Sequence, residues 1–90
     1  MQQLTKVQAL SKLKKARGMI DKVISMIDDD RYCIDVIQQS LAAVGYLKSV
    51  NKVILEGHLN SCFREGMSAS KARQDKLISE VMRIVNKCEA

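Results

Sequence analysis

The sequence predicts an all-α protein with three helices per protomer, and three observations carry that reading. No proline interrupts the 90 residues and there are only four glycines. Ala, Leu, Ile, Val, Met, Lys and Gln dominate, a composition that favours helix nearly everywhere. Large aliphatic residues also recur at three- and four-residue steps over most of the chain.

The first helix runs from Leu4 to about Ile27, with Leu10, Leu13, Ile20, Ile24 and Ile27 forming one stripe. Asp28, Asp29 and Asp30 follow. Three negative charges are unfavourable at a helix C-terminus but suit the start of the next helix, so the break falls there. The second helix extends from Arg31 to about Arg64, and Ile37, Leu41, Val44, Leu47, Ile54, Leu55, Leu59 and Phe63 keep the helical period. At 1.5 Å per residue it is about 50 Å long, too long for one shorter helix of its own chain to cover. "EGMSAS" reads as a loop, and Ser70 is the expected N-cap of the third helix. Leu77, Ile78, Val81, Met82, Val85 and Cys88 form that helix's stripe, with Cys88 reading as core packing.

Ninety residues make a single domain, 1–90, and a domain this small buries only about two-thirds of its unfolded surface. Aromatics are 3%, there is no Trp, and three cysteines leave one unpaired in any internal disulfide scheme. Oligomerisation is the remaining source of core. No apolar run approaches the roughly 18 residues of a membrane span, and "MQQLTKVQ" lacks the apolar centre of a signal peptide. The expected location is cytoplasmic, with the thiols reduced. Fifteen Lys plus Arg against ten Asp plus Glu leave a net charge of +5, which favours a polyanionic partner and is also met by an ordinary soluble basic surface.

The stretch "EGHLNSCF", residues 56–63, holds the only histidine, His58, with Cys62 four residues later. On a helix this spacing sets both side chains on one face, a turn apart, as two ligands of one metal ion would stand. A third soft donor is Cys33, 25 residues before His58. On a continuous helix that is about 37 Å, roughly ten times the spacing of two donors on one metal, so the three do not meet within one chain. Two copies of the helix packed antiparallel place Cys33 of one protomer beside His58 and Cys62 of the partner subunit, and two-fold symmetry makes the site twice. Two thiolates and an imidazole without a carboxylate suit trigonal Cu(I) better than Mg, Ca or Ni, and Zn(II) would use the same ligands plus a water. Plain packing accounts for the same spacing, because cysteine is among the most buried residue types.

The segments "LSKLKKARGMIDKVISMI", "DDDRYCIDVIQQ", "LAAV" and "LEGHLNSC" together resemble the copper-sensitive operator repressor (CsoR-type) family of bacterial metal sensors, over about residues 5–65. The resemblance implies an all-α protein whose antiparallel dimers pair into a homotetramer, which binds operator double-stranded DNA and releases it when inducer binds. The family's Cu(I) ligands fall on Cys33, His58 and Cys62 without a gap. A single histidine argues against the nickel sensors, and its presence at position 58 argues against the persulfide sensors. Tyr32 matches a family tyrosine that supports the ligands by hydrogen bonding, and Glu80 is the acid of the third helix nearest to a family glutamate with a similar role.

Residues 1–17 carry Lys6, Lys12, Lys14, Lys15 and Arg17 and no acid, an electrostatic footprint for phosphates. Lys12 and Lys15 lie off the Leu10/Leu13 stripe and are expected to project to solvent together. By the resemblance, Lys12 takes the place of a basic residue important for operator binding. A second such position is Ser49 here, flanked by Lys48 and Lys52. The function expected is thus a Cu(I)-responsive transcriptional repressor. A sensor of Zn(II) or reactive sulfur species in the same family, and a structural helical-bundle interaction protein, are the alternatives. No acid/base pair, activated nucleophile or phosphate loop points to an enzyme.

Overall fold

The computed structural model describes residues 1–88, apart from the side chain of Cys88, so the packing expected of Cys88 lies outside the described residues. Three helices account for nearly all of it: α1 (Gln3–Asp28), α2 (Cys33–His58) and α3 (Lys71–Cys88). α2 runs on without a break through a π-helical turn, Leu59–Phe63, into a last α-turn, Arg64–Gly66. The molecule is a slab of 57 × 28 × 13 Å, one helix thick in its shortest dimension. No helix among the described residues is long and apolar enough to cross a membrane.

The break between α1 and α2 falls at the aspartates, by a different device from the one the charges suggest. Asp30 adopts φ 53°, its N–H donates to the Ile27 carbonyl at 3.1 Å, and the Arg31 N–H donates to the Met26 carbonyl at 3.0 Å. These paired bonds around one left-handed residue close the helix as a Schellman motif, and aspartate tolerates that conformation better than most residues. α2 then begins behind Tyr32 with no side-chain cap, so the aspartates end α1 and do not cap α2. At α3 the sequence expectation holds: Ser70 Oγ accepts the Arg73 N–H at 3.4 Å, and the Ser70 carbonyl accepts the Gln74 N–H.

α1 and α2 form an antiparallel hairpin whose seam is not the stripe of large aliphatics. The least exposed residues of α1 are Thr5, Ala9, Lys12, Ala16, Met19, Val23 and Met26, at alternating steps of four and three. On α2 the matching line is Val36, Gln39, Ala43, Tyr46, Val50, Val53 and Gly57. This is heptad spacing, and its small residues let the backbones approach closely. At one end the approach is tightest: a Cβ on Gly57 would collide with the Thr5 side chain. Most of the predicted stripe residues face outward instead, while Ile54, Leu55 and Phe63 of the second stripe are half-buried. Ile20, Ile24 and Ile27 of α1 are 44–59% exposed, and Ile37 and Leu41 of α2 are 54% and 62% exposed. Such a contiguous aliphatic face exceeds what a lone soluble chain ordinarily shows. α3 folds back beside the open end of the hairpin, away from the α1–α2 loop: Leu77 is buried against Gly66, and Ile84 and Lys87 line a groove with Lys48, Ile54, Leu55 and His58.

Candidate metal centre and basic surface

The continuity of α2 keeps Cys33 and His58 at opposite ends of one 26-residue helix, about 37 Å apart along its axis. Among the described residues no three His, Cys, Asp or Glu side chains come together to hold a metal ion. Cys33 and Cys62 are free thiols, both exposed, and His58 is half-buried. One chain therefore brings two of the three expected donors to one place and leaves the third at the far end.

The segment that carries His58 and Cys62 is the most specialised backbone in the molecule. The α-helix widens into the π-turn immediately after His58, and Cys62 lies inside it. Insertions of this kind re-aim side chains relative to an uninterrupted α-helix. The Ser61 hydroxyl donates to the Gly57 carbonyl at 2.6 Å, a back-bond over four residues that bends helices. Ser61 Oγ also lies 3.8 Å from Cys62 Sγ, within reach of a weak O–H to sulfur bond. Phe63 stands over the imidazole of His58 with ring centroids 6.3 Å apart and planes tilted by 58°, a favourable aromatic geometry that restrains the ring. A cavity of about 140 Å³ beside these groups is lined by His58, Cys62, Ser61, Gly57, Ile54 and Met1.

Sequence reasoning found His58 and Cys62 but missed Met1, Phe63 and the Thr5–Gly57 contact. Hairpin arithmetic carried the signal for Met1: once Thr5 is set on Gly57, the antiparallel register puts residue 1 opposite residue 61. Tyr32 is 68% exposed beside Cys33, at the far end of α2 from the histidine of its own chain. Glu80 is half-buried on α3, one turn before Ile84, which with Lys87 lines a groove against His58 and Leu55.

The basic residues separate into two groups. Lys14, Lys15 and Arg17 are exposed on α1, and Lys48 and Lys52 are exposed on α2. Lys12 departs from expectation. It lies on the inward line of α1, half-buried, so it does not simply project to solvent with Lys15. Its aliphatic stem supplies seam packing of the kind long charged side chains commonly provide. Lys12 and Lys15 nevertheless border one cleft together with Gln8, Ser11 and Tyr46.

Residues 5–87 match the family model described as metal-sensitive transcriptional repressor. The copper-sensing transcriptional repressor CsoR of Mycobacterium ulcerans is 40% identical over 75 residues, which are 81% of this chain and 64% of that protein. The CsoR of Bacillus subtilis is 29% identical over 82 residues, 91% of this chain and 79% of the relative. The chain spans less than two-thirds of the length of the mycobacterial CsoR proteins it matches, 46% for that of Mycobacterium bovis. The crystal structure of the copper-sensing repressor CsoR with Cu(I) from Geobacillus thermodenitrificans superposes with a TM-score of 0.84 at 24% identity, covering all of this chain and 92% of the other, so the fold is shared. The family is one of repressors and not of enzymes. With 83 consecutive residues matched and the same three-helix fold, the chain belongs to the metal-sensitive transcriptional repressor family.

Proposed function

We propose that this chain is a Cu(I)-responsive repressor, one domain over residues 1–90, that binds operator DNA without metal and releases it when Cu(I) is bound by Cys33, His58 and Cys62. The observation that carries the reading is the division of the donor set between the two ends of one continuous helix. A second copy packed antiparallel through the exposed aliphatic faces brings Cys33 to His58 and Cys62 of the partner subunit, twice per dimer. The donors fit the ion: two thiols and one imidazole, with no carboxylate among them, select a soft monovalent metal over hard divalent ones. Relatives 40% and 29% identical are copper-sensing repressors, which supports the same assignment here. Pairing of dimers into a tetramer, and support of the ligands by Tyr32 and Glu80, belong to this proposal.

In this reading Lys12, Lys14, Lys15 and Arg17 on α1, with Lys48 and Lys52 on α2, contact DNA. Lysine is a poorer reader of guanine edges than arginine, so phosphate contacts and duplex shape carry much of the recognition. The link between the two ligands is a coupling free energy of about 1–3 kcal/mol, equal in size for DNA and for copper affinity. The test is an anaerobic titration of the reduced chain with Cu(I), followed by binding to a duplex selected for tight binding by the metal-free protein. Release by Cu(I), with Cys33→Ala abolishing it, is expected. DNA retained at saturating Cu(I), or released equally by Zn(II), would sink the assignment. Replacing Lys12 and Lys15 by Ala should flatten the salt dependence by about 0.9 in log–log slope for each phosphate no longer neutralised, with Cu(I) affinity unchanged.

A further inference from the structure

We propose that the thioether of Met1 is an additional soft ligand for the ion held by His58 and Cys62, an inference that rests on the copper reading of that site. Met1 lines the same cavity of about 140 Å³ as those two residues, and the apolar Ile54 forms part of its wall. The placement is built into the hairpin. Thr5, one turn along α1, is 7% exposed and seated against Gly57, the residue before His58, which fixes the start of α1 beside the π-turn.

The chemistry singles out this methionine among the five. Met26 is buried in the hairpin seam and Met19 is half-buried there, Met67 lies in the turn before α3, and Met82 is exposed on α3. Met1 is 71% exposed, so its flexible side chain is not committed to packing. A thioether is neutral and soft. It adds a donor to a site already holding two thiolates without adding negative charge, and it favours Cu(I) while offering little to Zn(II). Ligation by Met1 would tie the start of α1 to the end of α2. That is a direct route from the metal to the helix that carries Lys12, Lys14, Lys15 and Arg17.

The full chain, labelled with selenomethionine and loaded anaerobically with one Cu(I) per protomer, would be probed by X-ray absorption at the copper and selenium edges. A selenium neighbour in the copper shell, from about one of the five methionines, is expected. A second chain carrying Met1→Leu, released from a cleavable N-terminal tag, would be titrated in competition with a chromophoric chelator. Its Cu(I) affinity should fall about tenfold while its Zn(II) affinity stays unchanged, a split that a merely structural role for Met1 would not produce. Copper bound through sulfur with no selenium neighbour, and equal Cu(I) affinity of the two chains, would overturn the assignment of Met1 alone. Failure of Cys62→Ala to weaken Cu(I) binding would overturn the site itself.

Discussion

At its C-terminal end α2 is crowded by its own chain: Thr5 presses on Gly57, Phe63 stands against His58, Ser61 bonds back to Gly57, and Met1 closes one side of the cavity. At its N-terminal end α2 starts behind an uncapped Tyr32, with Cys33 exposed and Ile34 48% exposed. The same helix thus ends in a packed, ordered segment around His58 and Cys62 and begins in an open one around Cys33. The difference teaches that local order within one chain is invested where two of the proposed donors already sit together, and that the third proposed donor stands at the end its own chain leaves uncovered.

The largest effect should come from setting the two ends against each other. Cys33→Ala homodimers and His58→Ala homodimers should each lose tight Cu(I) binding, and mixing them should restore about one tight site per heterodimer, because the heterodimer holds one intact site and one that has lost both ligands. Titration of the mixture against the separate variants measures this, and full affinity in either homodimer breaks the division between the ends.

A smaller effect tests the crowded end by itself. Gly57→Ala sets a methyl into the stiff, branched Thr5, so either the first turn of α1 detaches or the helices part, at a cost of about 1–3 kcal/mol. Thermal unfolding should show the loss, and adding Thr5→Ala should recover most of it. Unchanged stability in Gly57→Ala would mean that the close approach constrains nothing. The smallest effect belongs to the open end. Asp30→Gly removes the left-handed strain at φ 53° and one negative charge from the end of α1, for a gain of about 0.5–1 kcal/mol in the same measurement, with metal affinity untouched.

The architecture was legible in the sequence because helix signals are local: the absence of proline, the aspartate break and the Ser70 cap locate three helices within a few residues of their observed ends. The orientation of those helices was not. Hydrophobic period finds the largest aliphatics, most of which lie outside on α1 and the first half of α2, while the seam mixes Met19, Val23, Met26, Val36, Val50 and Val53 with Thr5, Ala9, Ala16, Gln39, Ala43 and a half-buried Lys12 that break any apolar pattern. A slab that meets a second copy, as proposed, would invert the usual equation of large with inside. The distance between Cys33 and His58 followed from helix rise alone. The π-turn that carries Cys62 did not, since nothing in the local sequence distinguishes it from continued α-helix, and the close approach of Thr5 to Gly57 beside it exists only in the folded hairpin.

The 13 Å thickness has a consequence for the protein at cellular abundance. Among the described residues only Ala9, Ala16, Met26, Ala43, Val50 and Leu77 form a buried apolar core, too little interior for a chain to hold its shape unaided. In the proposed pairing, each chain is the stabilising ligand of its partner. Its melting temperature should climb with its concentration by mass action, and dilution should unfold it rather than merely disperse it. The number of copies in the cell then governs how much folded chain exists, and Cu(I) held between two chains, as proposed, would add to that amount by the same mass action.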